Sequence, residues 1–287
     1  PYGIMTKIMI IGPEEIIKKA QKVLKEGRNP AGAFTAIGMA YFEKGLLDKA
    51  IFHYSRALET DPKYAPAHAG LGNVYAKKGL IKESIFNLRE AIALSPQCSL
   101  LFNWLGDAYF DQGRVEEAIK EYSRATELDS RDSNAHNDLA DAYRMKGEWN
   151  QALDHYQKTL AINPDDTNAI LEMAQSLIQL DRHAEAKTIL VDLLQKFPDS
   201  EEAKTAKVVL GSLCTQDGNI KGAKVYLEQA AQVYPFNPAI QFHLGLCYLL
   251  LEDALKAQEH LQRALDLHPE NVRAMRLLQQ LRKRKGL

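Results

Sequence analysis

AGAFTAIGMAYFEKGLLDKAIFHYSRALETDPKY, residues 31–64, is the stretch from which the architecture can be read. Its first half sets Phe34, Ile37, Gly38 and Tyr41 at the three-and-four spacing of one helix face. Its second half repeats that spacing with Ala50, Tyr54 and Ala57. Gly45, between them, can take the left-handed conformation that ends a helix. Pro62 stops the second helix, because it has no N–H to donate and its ring clashes with the preceding turn. Two antiparallel helices are the outcome. Small residues at Gly38 and Ala50 let them approach closely, and Ile37, Tyr41 and Tyr54 fill the space beside that contact.

The same pattern recurs along the chain. With Gly38 as position 8 of a 34-residue unit, Gly72, Gly106, Ala140, Ala174, Gly211 and Gly245 take the same place. The repeats run 31–64, 65–98, 99–132, 133–166, 167–200, 204–237 and 238–271, with a three-residue slip at Glu201 to Ala203. Position 15 is Gly45, Gly79, Gly113, Gly147 and Gly218, but Glu252 in the seventh repeat. Position 32 is proline in every repeat except the third, which has Ser130. A single hairpin cannot bury its apolar face, whereas stacked neighbours can, so the chain is expected to form a solenoid.

Tyr41-Phe42, Gly45, Ala50, Tyr54, Ala57 and Pro62 together resemble the tetratricopeptide repeat (TPR). The resemblance covers seven repeats and implies an all-α solenoid of helix-turn-helix repeats winding into a right-handed superhelix. Residues 1–30 are expected to hold a capping helix or degenerate half-repeat from Pro13 to Glu26, and 272–287 a closing helix with a basic tail. Val272, Met275, Leu278 and Leu281 form its apolar stripe. Arg282 to Lys285 reads first as a solvated helix end with cations at the C-terminal dipole, and second as a contact for nucleic acid or anionic lipid. Ile4 to Ile11 is apolar and β-prone, a remnant of an upstream domain or a strand that docks elsewhere.

Composition removes several classes of function. Among 287 residues, 36 basic and 37 acidic side chains leave a net charge of −1, which argues against a nucleic-acid binder or an anionic-membrane binder. No apolar run approaches the ~20 residues of a membrane span, and no signal peptide is visible. Cys98, Cys214 and Cys247 are odd in number and form no CxxC, so a reducing, cytoplasmic setting is expected. The chain starts at Pro1 rather than Met, so it reads as a piece of something longer.

Catalytic chemistry is not found. The eight histidines read as scattered over different repeats and positions, with no HExxH spacing. Gly70-Leu71-Gly72 lacks the third glycine and preceding strand of a dinucleotide loop. Eight of twelve tyrosines fall at packing positions 11 or 24. No enzyme activity, cofactor or metal is expected.

The TPR resemblance implies that positions 2, 5, 6, 9, 12 and 13 of each first helix line a concave groove. In repeats two to five this face offers Asn73, Lys77, Asn103, Trp104, Asp107, Phe110, Asp111, Asn134, Asn137, Asp138, Asp141, Arg144, Asn168, Glu172 and Gln175. Asparagine amides can pair with both N–H and C=O of an extended peptide, and the aspartates favour a ligand carrying Lys or Arg. The competing reading is plain solvation of a helix face. The lysines of a TPR carboxylate clamp are missing at position 5, where Thr35, Ala69, Asn103 and Asn137 stand, so an acidic C-terminal peptide is disfavoured there. In repeat seven Phe242, Leu246, Leu249 and Leu250 make an apolar patch, either an interface or a surface covered by the chain's own tail. The expected function is a non-catalytic protein–protein interaction scaffold holding a peptide or partner segment in the groove. The alternatives are the recognition array of a larger enzyme or signalling protein, and a scaffold that assembles as a homo-oligomer.

Overall fold

Position 15 is where each first helix has to end. A left-handed residue there lets the next N–H turn back onto the helix it has just left. In the computed structural model, which describes residues 12–284, Gly45, Gly79, Gly113, Gly147 and Gly218 all have φ between 71° and 79°. Asp181 and Glu252 take the same conformation, at 57° and 64°. In six of the seven the following N–H then donates to the position-11 carbonyl, as Leu46 does to Tyr41 and Asp253 to Tyr248, both at 2.9 Å, while after Gly218 the Ile220 N–H donates to the Gly218 carbonyl. The left-handed residue is common to all seven turns, so the period set the backbone there even where the residue type departs. A side chain at positive φ is strained, so Glu252→Gly is expected to stabilise the protein by roughly 0.5–1 kcal/mol. Urea denaturation reads this directly, and a less stable variant would contradict the assignment.

Sixteen helices follow among the described residues. α1 (Pro13–Lys25) precedes seven hairpins. They are α2 (Pro30–Glu43) with α3 (Leu47–Thr60), α4 (Ala65–Lys77) with α5 (Ile81–Leu94), α6 (Ser99–Phe110) with α7 (Val115–Leu128), and α8 (Ser133–Lys146) with α9 (Trp149–Ile162). Next come α10 (Thr167–Gln179) with α11 (His183–Lys196), α12 (Glu201–Gln216) with α13 (Ile220–Val233), and α14 (Pro238–Leu250) with α15 (Ala254–Leu267). α16 (Val272–Arg284) closes the series. The slip at Glu201 to Ala203 adds a turn to the start of α12, where Ser200 caps the Ala203 N–H. Ile4–Ile11, and Lys285 of the basic cluster, lie outside the described residues. No described helix is long and apolar enough to cross a membrane.

The chain divides into two compact units, Pro1–Ile162 and Asn163–Leu287. In the first, Ile16 and Ala20 of α1 pack on the Ala33 and Ile37 side of α2, so α1 shields the open end of the stack. Leu88, Leu105, Tyr109, Tyr122 and Leu139 carry the core through the middle repeats. In the second, Leu278 and Leu281 of α16 bury against Leu244 and Leu261. Within each unit, first helices of adjoining repeats touch one another and second helices do so less, so the first helices line the inner face.

Position 8 shows why the small residue is needed. A Cβ added at Gly38 would meet the Tyr54 ring at 2.9 Å, and one at Gly106 the Tyr122 ring at 2.5 Å, in each case position 24 of the same repeat. Gly70, set aside above as an unfinished nucleotide loop, makes room for the same Tyr54 ring from the next repeat.

The histidines are not scattered, which corrects the sequence reading. His68 and His136 share position 4, and His53, His155 and His260 share position 23. Position 4 bridges position 23 of its own hairpin and the position-32 carbonyl of the repeat before. His68 lies 3.3 Å from Asn87 Oδ1 and 3.1 Å from the Pro62 carbonyl. His136 lies 3.1 Å from His155 Nδ1 and 3.3 Å from the Ser130 carbonyl. Gln241 accepts from His260 at 2.8 Å and donates to the Pro235 carbonyl at 3.0 Å. A carbonyl only accepts, so His136 carries its proton on Nε2 and receives the His155 Nδ1–H. These half-buried pairs tie repeats two, four and seven to their predecessors.

Candidate partner-binding site

The inner face of the N-terminal unit combines two chemistries. The first is a stripe of hydrogen-bond acceptors on α6 and α8. Positions 5 and 9 are a turn apart on one helix, which brings Asn103 above Asp107, and Asn137 above Asp141. Asn103 donates from Nδ2 to Asp138 Oδ2 across the two helices at 2.8 Å. The Tyr122 hydroxyl donates to Asp107 at 2.8 Å, and that of Tyr156 to Asp141 at 2.6 Å. Arg144 Nε lies 3.4 Å from Asp141. Tyr122 and Tyr156 thus pack their rings in the core and hold an inner-face carboxylate with their hydroxyls.

Crowding marks this stripe electrostatically. Burial pushes the Asp138 carboxyl up to about 7, and the negative charges of Asp107, Asp141 and Asp132 add to the rise against the Asn103 hydrogen bond. Asp107 is also raised, first by burial and further by Asp111, against the Tyr122 bond. Burial and the Asp107 charge raise Tyr122. Asn103 is only 7% exposed, and its Oδ1, like that of Asn137, is buried without a hydrogen-bond partner. Three carboxylates therefore line this part of the inner face and favour a ligand that brings donors.

The second chemistry is an apolar pocket of about 310 Å³ between repeats one and three. Met39 and Phe42 of α2 and Leu100 and Trp104 of α6 form its walls, with Asn73 and Tyr54 beside them. Of these, the sequence reading named Asn73 and Trp104. Met39, Phe42 and Leu100 stand at inner-face positions 9, 12 and 2, and extending the register to repeat one would have found the first two.

The remaining expected residues are placed as follows. Phe110 packs on the core around Leu105 and Tyr122. Asn134 is exposed, and its backbone N–H is capped by Asp132. In the C-terminal unit Asn168 is exposed, and Glu172 is half-buried with Gln175 Nε2 at 3.4 Å from its carboxylate. Phe242 and Leu249 pack partly on that unit's core. Phe242 and Leu246 line an open cavity of about 550 Å³. Leu250 is 53% exposed. α16 stands beside Phe242 and Leu246 as the next inner helix and leaves the cavity open. Among the described residues no three His, Cys, Asp or Glu side chains form a metal-holding group. All three cysteines are free thiols, with Cys214 and Cys247 buried.

Family models described as TPR repeat match residues 38–79 and 106–147, and models described as tetratricopeptide repeat match 65–98, 143–210 and 215–281. No curated protein matches the chain. Among solved structures, MamA is 28% identical, covering 60% of this chain and 97% of that one, with a TM-score of 0.53. Pseudomonas aeruginosa pilF is 24% identical over 74% of this chain and 95% of that one, with a TM-score of 0.63. YrrB, described as a TPR protein with an unusual peptide-binding site, is 19% identical over 66% and 96%, with a TM-score of 0.58.

Proposed function

The chain belongs to the tetratricopeptide repeat family, and from that premise we propose that it is a non-catalytic scaffold. On this reading, the inner face of its N-terminal unit holds an extended segment of a partner protein. That segment carries Lys or Arg close to a large apolar side chain. One observation carries the proposal: a stripe of three carboxylates, Asp107, Asp138 and Asp141, adjoins an apolar pocket at Met39, Phe42 and Trp104, on a single face. A cation donates to the carboxylates of Asp107, Asp138 and Asp141 and offsets their crowding. The pocket removes an aromatic or branched side chain from water on the same footprint. The peptide-binding description of YrrB is in keeping with this use of the fold.

Phage display of random peptides against the full chain tests the reading. Enriched peptides are expected to pair Lys or Arg with Phe, Trp or Leu. An Asn103→Ala/Asn137→Ala/Asp141→Ala variant is expected to weaken those peptides by about tenfold or more, on the scale of one partly buried charge contact. Unchanged binding by that variant, with circular dichroism showing it folded, would remove the groove from the proposal.

A further inference from the structure

The open cavity of the C-terminal unit has the opposite charge from the inner face of the N-terminal unit. Val272 stands 34 residues after Pro238, so α16 continues the register as the first helix of an eighth repeat. Arg273 and Arg276 then occupy inner-face positions 2 and 5, one turn apart on one side of α16. Both line the cavity of about 550 Å³. Both are exposed, and neither makes an ion pair or hydrogen bond among the described residues. Phe242, Leu246 and Leu277 supply an apolar floor, and His243 forms part of the wall with its Nδ1 buried and unpartnered. Among the described residues no carboxylate lines the cavity.

We propose that this cavity is a second binding site, which takes an acidic segment of a partner protein bearing one large apolar side chain. Two unpaired guanidiniums three residues apart can each fork onto a carboxylate of the segment. The cavity is large enough for an aromatic ring between Phe242 and Leu277. A basic segment is repelled here, while an acidic one is repelled by Asp107, Asp138 and Asp141 in the other unit, so the two sites sort partners by charge.

Fluorescence anisotropy with the full chain tests this, using labelled Glu-Asp-Trp-Glu-Asp as probe. Lys-Arg-Trp-Lys-Arg and Glu-Asp-Gly-Glu-Asp serve as controls. The acidic tryptophan peptide is expected to bind with a salt-sensitive affinity. The glycine peptide should bind about tenfold more weakly, because the anchor is gone. Arg273→Glu/Arg276→Glu should abolish binding, and Arg273→Lys/Arg276→Lys should retain part of it. Asp107→Asn/Asp141→Asn should leave it unchanged. Both arginines are exposed, so the variants should keep the wild-type melting curve. Equal binding of the acidic and basic peptides would overturn the proposal. So would acidic-peptide binding that survives the charge reversal, or no acidic-peptide binding by the wild type.

Discussion

Replacing Tyr156 with alanine should cost the N-terminal unit about 3–5 kcal/mol, the usual loss when a buried aromatic ring is cut back to a methyl. Tyr156 is 0% exposed and packs in a hairpin whose neighbours Ala140 and Ala152 are equally buried. Those alanines are already small, so nothing beside the ring can expand into the space it leaves. A domain has only about 5–15 kcal/mol of stability in total, so the substitution should bring the unit close to unfolding. In a linear stack each repeat is held by its neighbours, and the loss should appear first as faster amide exchange across 133–162. Tyr156→Phe separates the two roles of the side chain. It keeps the ring and deletes the donor to Asp141, which retains its contact with Arg144. That change should cost about 1 kcal/mol. Urea titrations of both variants decide the matter. An alanine variant within about 1 kcal/mol of wild type would mean that the ring is not a keystone of the repeat.

Hairpins, caps and core register were legible in the sequence because they depend on a few positions with strict size demands. Glycine or alanine at position 8 faces a bulky residue at position 24, and no other size fits both. Glu252 is instructive, since glutamate does not signal a left-handed turn, yet it takes one at the position the period marks. The polar bridge from position 4 to position 23 was invisible for the opposite reason. His68 with Asn87, His136 with His155 and Gln241 with His260 do one job with different pairs, and histidine changes sides between them, so no single pair of residue types recurs. The groove was half legible. Register put Asn103 and Asp138 on the inner face, but only the structure shows Asn103 buried and already joined to Asp138. The pocket at Met39 and Phe42 was hidden because apolar residues on a helix read as core until the neighbouring helices are in place.

Two groups of the fourth repeat should pull the acid stability of the N-terminal unit in opposite directions. Burial lowers His155 to about 4, helped by the charges of Lys158 and His136 and opposed by Asp154. The unfolded chain therefore takes up a proton near the ordinary value of 6.5 while the folded chain does not, so stability is lost as pH falls from about 6.5 towards 4. Asp138 does the reverse. Its folded value near 7 lies far above the ordinary 3.8, so the folded chain holds a proton that the unfolded chain has lost, and stability falls as pH rises from about 4 to 7. Allowing for solvent screening of half-buried groups, each is worth about 1–2 kcal/mol across its window. His155→Asn restores the His–Asn pair that repeat two already uses, and should remove acid sensitivity relative to wild type. Asp138→Asn should raise stability at pH 8 by about 1–2 kcal/mol and steepen the fall on acidification. Urea titrations from pH 4 to 8 measure both slopes, and parallel profiles for wild type and Asp138→Asn would reject the buried-carboxylate account. The same carboxylate links stability to binding. A Lys or Arg brought against Asp138 favours its ionised form, so binding of a basic segment should release a proton and tighten as pH rises through 7. Asp138→Asn should lose that pH dependence along with part of the affinity. The fold tolerates a destabilising carboxylate at the centre of the stripe, and a cationic partner is the condition under which that carboxylate becomes favourable.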